Sequence, residues 1–159
     1  MSDYEITNTI IGAQNISVTS TTQNHPLGLI VQAVDRADTA YGAGEFVYLK
    51  GVASTVLGSF VTYNADDNST ALLAANAIGP TAVSMSINVA SSYGWYQISG
   101  KAVGKCLAGY ADNGLVFATA TAGSIDDAVV AGDRVKLAKG ASAIGTPSTG
   151  LAEFEIQRP

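Results

Sequence analysis

Apolar residues along this chain come in short clusters split by glycine, asparagine and aspartate, a spacing that belongs to β-strands. After Pro26, residues 27–34 form an apolar run suited to a buried strand. A second strand over 45–50 stops at Gly51, and a third over 59–63 runs into the turn-forming Asn64-Ala65-Asp66-Asp67-Asn68. The clearest alternation covers 83–89. It sets Val83, Met85, Ile87 and Val89 on one face and Ser84, Ser86 and Asn88 on the other. Residues 94–100 and 102–107 read as two further strands. The Asn113-Gly114 pair is a hairpin signal leading into 115–118, and strands over 134–137 and 152–157 complete the set.

Two segments have helical character. Residues 70–77 are rich in Ala and Leu but are stopped by Gly79-Pro80, and 124–130 have the length of about one turn, with Ser124 as its cap. Neither could carry a fold. The first 25 residues differ from the rest: they are rich in Ser, Thr, Asn and Gln, with isolated Ile6, Ile10, Ile11, Ile16 and Val18. They read as an extended arm that orders against a partner. The expected architecture is therefore all-β: an N-terminal arm over 1–25, then one small β-barrel or sandwich domain over 26–159. A β-tulip is among the forms that fit.

Composition narrows the function. For 16.2 kDa the folded surface should be roughly 7,500 Å². Only 13% of the 159 residues are charged, against about 25% in an average protein. Eight basic and thirteen acidic side chains leave roughly 350 Å² of surface per charge. So sparse a coat suits a protein whose faces are covered by neighbours. A net charge of −5 and a pI near 4.5 give no basic stripe for nucleic acid, and 47% apolar residues argue against disorder. No apolar run approaches the roughly 20 residues of a membrane span. The acidic start, Met1-Ser2-Asp3-Tyr4-Glu5, carries no secretory signal pattern. Cys106 is the only cysteine, as expected of a protein made in a reducing cytosol. The sequons at Asn15 and Asn68 then have no glycosylation to serve.

Catalytic equipment is thin. A triad would have to use His25, which sits before Pro26 at the end of a polar stretch and is expected to be solvated or at an interface. Cys106 needs that same histidine as its base and reads instead as a small core hydrophobe beside Val103 and Leu107. Gly42-Ala43-Gly44 precedes a strand, whereas a dinucleotide fingerprint opens a helix. Asp66-Asp67-Asn68 and Asp126-Asp127 have oxygen ligands for a cation but fit solvated turns better. Tyr93, Trp95 and Tyr96 form the one aromatic cluster, read as core or subunit-interface anchors. No enzyme, cofactor or metal site is expected.

Two strings carry a likeness to a known family. They are Ala40-Tyr41-Gly42-Ala43-Gly44-Glu45-Phe46-Val47-Tyr48-Leu49-Lys50-Gly51 and Tyr93-Gly94-Trp95-Tyr96-Gln97-Ile98-Ser99-Gly100-Lys101-Ala102. Over residues 27–110 the chain resembles small virion proteins of tailed bacteriophages, and among these the head decoration, or cement, proteins. The resemblance implies a β-rich domain, often a homotrimer, on the outer capsid surface. There it would bind the major capsid protein and clamp adjacent capsomers of the expanded, DNA-filled head after synthesis in the host cytoplasm. It implies no nucleic-acid or membrane partner and no catalytic residue. The contact residues expected with the capsid or with further copies are Ile10, Ile11, Ile16 and Val18 of the arm, with Tyr93, Trp95 and Tyr96. A tail- or fibre-associated β module that binds a host receptor is the alternative reading.

Overall fold

The computed structural model describes residues 3–158, and its longest element is a single strand where the sequence suggested two. Eleven strands follow one another: β1 (Tyr4–Ile6), β2 (Ile30–Asp35), β3 (Ala43–Lys50), β4 (Phe60–Tyr63), β5 (Thr70–Leu72), β6 (Thr81–Ser84), β7 (Tyr93–Lys105), β8 (Leu115–Ala118), β9 (Ile125–Asp126), β10 (Arg134–Gly140) and β11 (Leu151–Ile156). The fold is all-β and sandwich-like; its strands do not close into a barrel. Neighbours run in the order β1-β2-β3-β7-β11-β10-β8-β9, every ladder antiparallel, while β4 links β5 and β6 and β6 joins β7.

β7 organises the molecule because its two halves have different neighbours. Its first half pairs with β3, with Tyr96 opposite Val47 and Trp95 opposite Tyr48. Its second half pairs with β11, from Gly100 opposite Ile156 to Lys105 opposite Leu151. Gly100 sits at the changeover with φ +100°. A Cβ there would lie 2.7 Å from the Ala43 carbonyl, so no other residue fits the bend.

β3 and the first half of β7 are covered on both faces. Phe46, Tyr48 and Trp95 pack on one side with Tyr4, Ile16, Val31 and Ala33. Val47, Leu49, Tyr96 and Ile98 pack on the other with Val61 of β4 and Ala82 of β6. Double coverage explains why these strands read as continuous apolar runs instead of alternating. The C-terminal strands build a separate core around Phe154, Val116, Ile125 and Val135, with Phe60 set edge-on to Phe154 at 5.3 Å. The folded surface of 7650 Å² matches the value expected from mass alone, so the chain reaches an ordinary monomer's compactness.

Several expectations change. Residues 70–77 hold β5 and a turn, and 124–130 hold β9. Neither is helical, because each strand completes a neighbour's ladder. The Asn113-Gly114 turn, with Asn113 at φ +57°, does not close a two-residue hairpin; β8 pairs with β9 and β10 instead. The alternation over 83–89 does not set the burial: Ser84 is as buried as Val83, and beyond it Ser86 and Asn88 are buried while Ile87 and Val89 are exposed. Asn88 Nδ2 donates to the Tyr96 hydroxyl at 3.0 Å and to the Leu49 carbonyl at 3.4 Å, which anchors the loop across the ends of β3 and β7. The Asn88 amide and the Ser84 hydroxyl, which donates to the Ser86 carbonyl, find partners inside.

Candidate interaction surfaces

The largest correction concerns the N-terminal 25 residues. Those described do not stand away from the domain as an arm; they form one of its walls. β1 adds to β2 with Tyr4 opposite Asp35, and Ser20 exchanges both backbone hydrogen bonds with Tyr93 at 3.0 and 2.8 Å. Between them Gln14 acts as a buried hub. Its carbonyl accepts from Trp95 Nε1 at 2.9 Å, and its Oε1 accepts from the Tyr48 hydroxyl and Asn24 Nδ2, both at 2.9 Å. Its Nε2 donates to the Val18 and Tyr93 carbonyls. A stretch poor in apolar residues is thus held by polar bonds made in a buried setting, where each is expensive to lose.

The residues expected at an interface divide accordingly. Ile16 is 1% exposed, and Trp95 and Tyr96 have no exposed surface, so these three are core residues of this chain. Ile10 and Tyr93 are half-buried against the Trp95 cluster. Ile11 is 99% exposed at the tip of a turn, and Val18 is also exposed. Only the Ile11 tip and Val18 therefore offer free apolar surface.

The structure exposes apolar residues that the sequence pattern did not single out as surface. Met85, Ile87 and Leu57 line a groove of about 360 Å³ with Ile16, Thr19 and Tyr4. Ile87 is 63% exposed and Leu57 is exposed beside it. The apolar half of the 83–89 alternation was the available signal. Exposed apolar side chains gathered around a groove mark a surface that gains by being covered.

The candidate catalytic side chains lie inside the fold. His25 is 7% exposed, not solvated as expected, and packs on Tyr48 and Trp95 with ring centroids 5.0 and 5.5 Å away. Its Nε2 accepts the Gln14 backbone N–H at 3.0 Å, which occupies the lone pair a general base would need. Cys106 is buried in the other core, as expected. Burial, helped by Asp126, pushes its thiol up to about 11, so it stays a protonated, poor nucleophile. Among the described residues no group of three or more His, Cys, Asp or Glu side chains is arranged to hold a metal ion. In the Asp66–Asn68 turn, Asp67 Oδ1 accepts from Ser69 N–H and Oγ–H. No helix is long and apolar enough to cross a membrane among these residues. Comparison with known protein families, with curated proteins and with solved structures finds no match.

Proposed function

We propose that this chain is a structural virion protein. It decorates the outer capsid surface and cements adjacent capsomers, stabilising the expanded, DNA-filled head. The observation that carries the reading is a β framework covered on both faces that leaves apolar side chains, Ile11, Val18, Leu57 and Ile87, on its surface. A coat of eight basic and thirteen acidic groups favours the same reading, since faces that lie against neighbours need few charges.

In this role each copy contributes a modest apolar contact to the major capsid protein. Self-association, a homotrimer in the first instance, joins several such contacts in one body. Once one contact is made the others become intramolecular, and dissociation slows without any single tight interface. Binding that occurs only on the expanded shell stabilises that shell by linkage.

The test is the number of copies of this chain per major capsid protein in purified particles. Near-equal numbers support the cement role. A handful would favour the tail- or fibre-associated receptor-binding module, and absence from particles would overturn both. Ile11→Asp combined with Ile87→Asp should release the protein from shells while leaving its own unfolding midpoint nearly unchanged.

A further inference from the structure

The Asn113-Gly114 turn closes no hairpin, and its two reactive groups are left uncommitted. Of the eight asparagines in the chain, Asn113 is the only one followed by glycine. It stands exposed in the turn, with its backbone at φ +57°. The bonds that fix the turn use other groups. Asp127 Oδ2 accepts the Ala111 N–H at 3.0 Å, and the Gly114 carbonyl accepts from the Gly140 N–H at 3.0 Å and the Tyr110 hydroxyl at 3.3 Å. The Gly114 N–H itself is held by no hydrogen bond of ordinary geometry among the described residues.

Most other asparagines are committed. Oδ1 of Asn8, Asn15 and Asn64 accepts from Gln32, Ser17 and Asp66 N–H respectively. Asn24 and Asn88 donate through Nδ2 to Gln14 and Tyr96. All seven others, moreover, precede a residue whose Cβ crowds the backbone nitrogen that follows the asparagine, whereas glycine puts nothing there.

We propose that Asn113 is a modification site, at which the folded chain converts its own asparagine to aspartate and isoaspartate in water. Hydroxide removes the Gly114 amide proton, and the nitrogen attacks Asn113 Cγ to form a cyclic imide. The Cγ–Nδ2 bond breaks, and the departing nitrogen takes a proton from water and leaves as ammonia. A second water then opens the ring at either carbonyl. The nucleophile belongs to the neighbouring residue, so the attack is intramolecular.

Position in the fold gives the product its effect. A Cβ on Gly114 would lie 3.0 Å from Asp127 Cβ, so the turn rests against that residue. Conversion adds a carboxylate next to Asp112 in a turn already packed on Asp127, and the like charges repel. The isoaspartyl form also routes the backbone through Cγ, lengthening it by one carbon just before Gly114. The carbonyl of Gly114 ties the entry of β8 to Gly140, the last residue of β10, and both changes loosen that junction. The proposal does not depend on the virion role, because the reaction is read on the isolated protein.

The test is incubation of the folded protein in neutral to mildly alkaline buffer, followed by peptide mapping that resolves asparaginyl, aspartyl and isoaspartyl forms. Conversion should appear at Asn113 before any other asparagine and should speed up with pH. Asn113→Gly keeps a residue suited to φ +57° and should lose this first product altogether. The isoaspartyl fraction should unfold at a lower midpoint than fresh protein, with faster amide exchange at 114–118 and 140. Asn113→Asp supplies the added charge without the longer backbone and should show the smaller drop. An Asn113 that stays intact in the folded protein while the urea-unfolded chain converts would overturn the proposal, as would earlier conversion at another asparagine. An isoaspartyl fraction with an unchanged midpoint would overturn the effect assigned to the β8–β10 junction.

Discussion

The Trp95 side of the molecule and the Phe154 side bury similar aromatic cores with different lids. Around Phe154 the lid is strand on strand: Phe60, Val116, Ile125 and Val135 meet it from regular elements, and almost every contact is apolar. Around Trp95 the lid is mostly a segment without regular structure after β1, held by the bonds of Gln14, His25 and Asn24. The first kind tolerates loss of a methyl group at a graded cost in packing. The second depends on a few polar bonds whose partners are left unsatisfied if one residue changes. A wall closed by polar side chains can be polar in sequence and still belong to the core.

Removing the wall is the most severe way to test that contrast. Deleting residues 3–22 uncovers Phe46, Tyr48 and Trp95, and the truncated chain should lose its cooperative thermal transition. A folded, cooperative product would show that the segment is an appendage after all. Next come the two aromatic centres, where Trp95→Ala and Phe154→Ala should each cost about 3–5 kcal/mol in denaturant unfolding. Both should lower one shared transition, because β7 runs through both cores.

Alkali should follow with an effect of order 2–3 kcal/mol from Tyr96 alone. Burial above all pushes Tyr96 up to about 12, against 10.0 for a free tyrosine; Tyr4 and Tyr41 are raised likewise, also mainly by burial. Their neutral hydroxyls stabilise the fold fully below pH 10, and that contribution is lost as pH rises toward 12. Unfolding midpoints measured across this window should fall, and Tyr96→Phe should flatten the fall. Gln14→Ala should cost about 1–3 kcal/mol by stripping partners from the Tyr48 hydroxyl and the Tyr93 carbonyl. A cost within the scatter of surface changes would demote the hub to decoration. Smallest of all, Ile11→Ser should stay within about 0.5 kcal/mol, since that side chain touches nothing in its own chain.

Much of this architecture was legible from residue order. The apolar runs at 27–34, 45–50, 59–63, 134–137 and 152–157 all contain or overlap strands, because β-branched and aromatic residues between turn formers have few other uses. The burial of Cys106 followed from its apolar neighbours. The aromatic cluster was recognised, but not that Trp95 and Tyr96 point to opposite faces of a strand buried on both sides. Two strands were read across Gly100 where one bends through it, since a glycine punctuates a sequence whether the chain turns back or only changes neighbours.

What the sequence by itself determined is the class of structure, which depends on local preference and on which residue types are present. Tertiary structure alone decided which way 83–89 faces and whether 3–25 is wall or arm. It alone exposed the Ile87 groove. Those outcomes turn on which buried polar groups find partners across the fold: Asn88 with Tyr96, Gln14 with Trp95. Such pairings join residues far apart in the chain, and a local pattern of polar and apolar positions carries no record of them.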